Sequence, residues 1–255
     1  MISKTTYGEN LARRIITGAG ALTLVPYRVD PTMAVSALAH GLDDSGRFVV
    51  ICSAEDADFM GDAEIRLDGV KKALEFTVDI TVASLHALAR VEWQDSAATP
   101  TTLGFEPGPH LRVGVIEVET VLLHGPHGVT KCAADELLAT AEISELNSRE
   151  IDARDEIARL SDVQLSTLLS GALVGMAPGL LLSESELGGC SAPAGDNLWV
   201  VDVDHSGVAL LKMIDGRMTT VLVTFPEPVM TIADLAGAVD ALAVHTSVRH
   251  ASPRI

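Results

Sequence analysis

The chain has 255 residues, of which 47% are hydrophobic and 4% aromatic, and its formal net charge is −17. That length can bury a substantial core, as one large or two modest domains, and the apolar content excludes an intrinsically disordered chain. The acidic balance and scarce aromatic rings exclude a nucleic-acid surface, which needs clustered Lys and Arg and stacking platforms, and argue against docking on anionic lipid.

The N-terminal stretch MISKTTYGENLARR lacks the apolar core of a signal peptide, and no apolar run reaches membrane length, so the expected location is the cytoplasm. Cys52, Cys132 and Cys190 are widely spaced and odd in number, with no CxxC pair. That usage fits reduced thiols rather than a disulfide or zinc framework.

In chain order, ENLARRIITGAG places Leu11, Ile15 and Ile16 on one helical face, and Gly18 and Gly20 can end the helix. Strands are predicted over 21–25, 33–42 and 47–52, the last two joined by the Asp-Ser-Gly turn of DDSG. SAEDADFMGDA, residues 53–63, reads as an acidic loop. Extended segments follow around Ile65 and Leu67 and over 80–93. After a Pro- and Thr-rich loop at 95–110, another runs over 111–123. In this last strand Val113, Val115, Glu117, Glu119 and Val121 share one face, and Arg112, Gly114, Ile116, Val118 and Thr120 the other. Five or six antiparallel strands joined by short turns predict a closed or nearly closed barrel.

Beyond residue 132 the pattern becomes helical and heavily charged. Leu165, Leu168, Leu169, Ala172 and Leu173 form a core-facing stripe. A boundary near 147–150 divides the chain into a barrel domain, 1–147, and an α+β module, 148–255. The module carries a three-stranded meander over 198–204, 208–214 and 217–225, with Asp215-Gly216 as a two-residue hairpin turn. Thr231 and Asp234 then begin a helix bearing Ile232, Leu235, Ala236, Val239, Leu242 and Ala243. The tail HTSVRHASPRI is polar and is expected to be mobile.

No GxSxG elbow, P-loop, HExxH or GxGxxG is present. SESELGG sets serine beside carboxylates without a neighbouring histidine, which weighs against catalysis there. In VLLHGPHGVTKC, His124, His127 and Cys132 have ligand-like spacing, but Gly125, Pro126 and Gly128 favour a hairpin turn over a metal site. His86, inside a predicted strand, reads as a partly buried, hydrogen-bonded side chain. His245 and His250 lie in the tail, where no packing role accounts for them, and a plain terminus is the alternative.

A helix, a barrel of about six short strands, a helical linker and a C-terminal α+β module resemble the split-barrel flavin-binding superfamily. More narrowly the chain resembles its haem-utilisation branch, the HugZ/HutZ-type proteins. The resemblance is carried by VLLHGPHGVTKC at the last barrel hairpin, by ARLSDVQLSTLL at the start of the C-terminal module, and by VDVDHSGVALLKMIDGRMTTVLVTFPEPVMTIADLAGAVDAL at its end. It implies a six-stranded antiparallel split barrel, a homodimer with a shared cleft, and haem as the cofactor. Some members ligate haem through a C-terminal histidine, and His245 and His250 occupy a comparable place, with Arg249 able to meet a propionate. Members that act as enzymes open the porphyrin ring oxidatively. FMN is the less expected cofactor, because the acidic stretch 53–63 stands where the superfamily holds a flavin phosphate. Two other readings stay open: a non-catalytic regulatory or interaction protein on a barrel that has lost its cofactor site, and a flavin-dependent oxidoreductase.

Overall fold

The computed structural model describes residues 2–75, 78–94, 103, 104, 106, 108–139, 144–186, 197–214 and 216–250, without the side chains of 245 and 247–250. The chain divides into two compact units, one formed by Thr5–Lys71 and Ala83–Glu142, the other by Met1–Lys4, Lys72–Val82 and Ile143–Ile255. Among the described residues, no helix is long and apolar enough to cross a membrane.

The first unit opens with α1 (Lys4–Ile16), whose Leu11, Ile15 and Ile16 are all buried, as the helical periodicity predicts. Its end is a Schellman motif. The Ala19 amide donates to the Arg14 carbonyl and the Gly18 amide to the Ile15 carbonyl, with Gly18 at φ +119°. Eight strands follow: β1 (Ala21–Val25), β2 (Val35–Ser36), β3 (Ala39–Leu42), β4 (Phe48–Ser53), β5 (Ala63–Lys72), β6 (Thr81–Gln94), β7 (Leu111–Gly125) and β8 (Gly128–Ala133). They form one curled antiparallel half-barrel sheet in the order β2-β1-β5-β6-β7-β4-β3, with β8 also on β7.

The strand count therefore exceeds the six expected, for two reasons. The apolar run 33–42 is not one strand, because it turns between the two ends of the sheet: the Ala37 amide donates to the Leu22 carbonyl in β1, and the Leu38 amide to the Ile51 carbonyl in β4. In addition, one edge of β7 serves two partners, β4 over residues 111–115 and β8 over 120–125. The register of β6 on β7 also shifts between Ala87/Val121 and Ala89/Val118, a β-bulge. The bulge exchanges the faces of β7, so Ile116 is buried before it and Val121 and Leu123 after it. No single alternation runs the length of the strand, contrary to the face assignment made from sequence.

Residues 54–60 form a short helix, α2 (Ala54–Met60), where the sequence suggested a loop. Ser53 caps it, its hydroxyl accepting from the Asp56 amide, and Glu55 and Asp56 sit favourably at the positive end. The unit closes with α3 (Ala134–Ala139).

The second unit comprises a 3-10 turn at Glu145–Asn147, α4 (Glu150–Ile157), α5 (Asp162–Leu173), β9 (Gly179–Glu186), β10 (Leu198–Asp204), β11 (Gly207–Ile214), β12 (Arg217–Thr224) and α6 (Ile232–His250). The meander is present, and β9 extends it to a four-stranded antiparallel sheet, β10-β11-β12-β9. Leu180 and Leu181 pair with Leu222 and Val221, and this apolar start recruits the more polar SESE segment onto the sheet. Gly216 takes φ +77° in the last hairpin, while Asp215 lies outside the described residues. Reciprocal capping boxes start both long helices, Ser161 with Gln164 and Thr231 with Asp234. The helix α6 continues to His250, so residues 245–250 are helical rather than part of a mobile tail; residues 251–255 lie outside the description. Thr246 is buried and its hydroxyl donates to the Ala243 carbonyl, which satisfies this polar group inside the packing.

Leu169 is 0% exposed in the core formed with Leu210, Val221 and Leu235, whereas Leu173 is 36% exposed. Leu169→Ala should therefore cost about 2–5 kcal/mol in chemical denaturation and Leu173→Ala under about 1 kcal/mol. In the first unit, buried His40 donates from Nε2 to the Ile15 carbonyl at 2.7 Å, a second bond to a carbonyl in the last turn of α1 that also accepts from the Gly18 amide. Burial pushes the His40 pKa down from 6.5, and the bond to Ile15 offsets this only in part. The unfolded chain then takes up the proton more readily than the folded one. This contribution to stability is complete above 6.5 and is lost as pH falls below it. Denaturation midpoints should drop between about pH 7 and about pH 5, and the drop should shrink in His40→Gln.

Candidate functional site

The histidines of the β7–β8 hairpin separate instead of converging. His127 bonds through Nε2 to the Thr130 hydroxyl at 2.7 Å and stands edge-on to Tyr7, with ring centroids 5.7 Å apart. His124 meets the ring of His86 at 5.5 Å. Cys132 is buried, and desolvation raises its thiol pKa. Burial also pushes the Cys52 thiol up to about 12, so neither is a nucleophile near neutral pH. Both are free thiols, and Cys190 lies outside the described residues. Among the described residues, no three His, Cys, Asp or Glu side chains gather as a metal site.

His86 occupies a more suggestive position. It stands on β6, and its Nδ1 lies 2.8 Å from Oδ1 of Asp68 on β5. Asp68 also accepts two bonds from Nε of Arg66, at 2.9 and 3.1 Å, and pairs with the Arg66 terminal nitrogen at 2.8 Å. Partial burial works against the charged carboxylate, but the bonds from Arg66 and His86 outweigh it and hold the Asp68 pKa below the ordinary value. An ionised carboxylate can only accept, so it keeps the imidazole proton on Nδ1. The lone pair on Nε2 is left without a protein hydrogen bond among the described residues.

His86 lines a cavity of about 900 Å3 on the barrel sheet. Leu88, Leu122 and Ile116 supply apolar wall, and Leu88 is 65% exposed. Arg28 is held by Glu64 at 2.6 Å, but Arg90 makes no ion pair among the described residues, although Glu117 faces it across the ladder. Glu117 and Glu119 are the other carboxylates that line the cavity with Glu64. Sequence reasoning read His86 correctly as hydrogen-bonded and partly buried, yet missed its availability, because the partner Asp68 lies on another strand.

The residues expected to carry a cofactor are on α6. His245, Arg249 and His250 lie within its last turns, with His245 and Arg249 one turn apart, and their side chains fall outside the described residues. The acidic segment 53–63 lines neither large cavity. Its Glu55 and Asp56 occupy the positive end of α2, the position a bound phosphate would use.

The second unit has its own cavity, of about 990 Å3, between the outer face of α5 and the beginning of β10, lined also by Lys212 of β11.

No family model matches the chain, and no curated protein matches its sequence. Its structure is similar to that of a haem-binding protein from Mycobacterium smegmatis, with a TM-score of 0.50 and 20% identity over 97% of this chain and 99% of that one. It is also similar, at a TM-score of 0.38 and 15% identity, to a protein of unknown function from Agrobacterium tumefaciens, over 94% of this chain and 98% of that one. At this level of identity the mycobacterial likeness establishes a shared fold over nearly the whole of both chains.

Proposed function

We propose that the chain binds haem and that an imidazole ligates the iron. The observation that carries the reading is His86: one nitrogen is tied to an ionised carboxylate, and the residue lines a cavity with apolar walls and an arginine that has no ion pair among the described residues. A neutral imidazole is a competent axial ligand, and a carboxylate behind it fixes its tautomer and raises its basicity. The whole-chain likeness to a haem-binding protein supports the same reading. The cavity residues fit the group: His86 for the iron, Leu88 and Leu122 for the ring, and Arg90 for a propionate by a charge-assisted pair. Bound haem supplies redox-active iron. The chain's own part is to orient the ring, hold the proton on Nδ1 of His86 and present Nε2.

The family resemblance supports a second source of imidazole, His245 or His250 of α6, with Arg249 against a propionate, and a homodimer as the working assembly.

Hemin titration followed at the Soret band tests these assignments. The wild-type chain should show a saturable shift, and its absence overturns haem binding. With His86 as ligand, His86→Ala loses the shift and His245→Ala/His250→Ala keeps it; the reverse moves the ligand to α6. A shift unchanged in both variants overturns imidazole ligation. Asp68→Asn should weaken hemin binding about 10–100-fold if it acts through His86, while leaving an α6-ligated complex unaffected.

A further inference from the structure

The second cavity, in the other unit, is independent of the haem reading. The helix α5 has two faces. Leu165, Leu168 and Leu169 enter the core, while Val163, Ser166, Thr167, Ser170 and Val174 line the cavity at helical spacing. Leu198 and Lys212 are directly paired across β10 and β11, and both contribute to its lining, as does Trp199. Val163, Val174 and Met176 are 64%, 64% and 59% exposed. Isolated exposed apolar side chains are ordinary, but here three of them share one concavity on a chain of net charge −17.

The charges in this cavity are unequal in availability. Glu75 is occupied by Arg154 at 3.1 Å, and Asp162 occupies the favourable first turn of α5. Lys212 donates from Nζ to the Ser166 hydroxyl at 3.0 Å and has no carboxylate partner among the described residues. Its ammonium retains donors for a further acceptor, with the Ser166 hydroxyl beside it.

We infer that this cavity binds an amphipathic organic monocarboxylate, its carboxylate on Lys212 and Ser166 and its alkyl or aryl body against Val163, Met176 and Trp199. A single available cation among the described lining residues, which also include Glu75 and Asp162, matches one negative charge and disfavours a dianion such as a phosphate monoester. The apolar wall disfavours small hydrophilic acids, which would leave it exposed to water.

Calorimetric titration of the full chain with octanoate tests the assignment, with octan-1-ol as the neutral ligand of equal tail length. Saturable octanoate binding is expected, at least tenfold tighter than octan-1-ol. Lys212→Gln should weaken it at least tenfold, Lys212→Arg less than threefold, and Val163→Asp should abolish it. Val163 is exposed, so Val163→Asp should keep the wild-type melting temperature. Lys212→Gln should leave the hemin titration unchanged, and His86→Ala the octanoate titration, so each site can fail without the other. Absence of saturable octanoate binding in the wild-type chain, or equal affinity in Lys212→Gln, overturns the inference.

Discussion

The barrel unit turns on the bulge in β7. This strand pairs with β6 along most of its length, with β4 at its start and with β8 at its end. Side chains on a regular strand alternate strictly, so a pattern that buries Ile116 would expose Val121 and Leu123. One extra residue in β7, between Val118 and Val121, resolves the conflict. Beyond it Val121 and Leu123 turn inward, while Leu122 and His124 share the outer face with His86, their cross-strand neighbourhood. The same local irregularity thus completes the core and assembles the wall of the His86 cavity.

The acidic composition gives the remaining cations their meaning. Acids outnumber bases 35 to 18, and most arginines with described side chains are matched: Arg28 with Glu64, Arg47 with Asp43, Arg66 with Asp68, Arg112 with Asp58, Arg149 with Glu145 and Asp152, Arg159 with Glu156, and Arg217 with Glu186. Such exposed pairs each stabilise the fold by about 0–1 kcal/mol, so they neutralise side chains more than they hold the molecule together. Against that background, a cation that lines a cavity without a carboxylate partner is available to a ligand. Among the described residues, Arg90 in one unit and Lys212 in the other meet that description.

Legibility from sequence followed the range of the interaction. Turns and caps depend on residues within four positions, so DDSG, GPHG, the Thr231–Asp234 box and the Gly18 helix end could be read directly. The stripe on α5 was equally plain, apart from Leu173, which falls at the exposed end. The helix α2 was missed because seven residues are too few for periodicity, although Ser53 and Asp56 were a local capping signal. β9 was missed because its polar half becomes a strand only through pairing with Thr219 and Thr220 far along the chain. Gln164 has a local purpose: it closes the capping box of α5.

The site was the least legible part, and three histidines show why. Each has a polar partner, so burial and hydrogen bonding alone do not separate them. His40 spends Nε2 on the Ile15 carbonyl, in a position that also serves the end of α1. His127 spends Nε2 on Thr130 and packs so closely on α1 that a side chain at Gly8 would collide with its ring; that glycine admits the hairpin against the helix. Both imidazoles are consumed by the fold. His86 differs because its partner Asp68 takes Nδ1, and the opposite nitrogen belongs to a residue that lines a cavity rather than the core. Which nitrogen is engaged, and what lies beyond the other, is set by strand register across β5, β6 and β7. An imidazole becomes available for ligation when one nitrogen is engaged and its residue lines a cavity instead of the core.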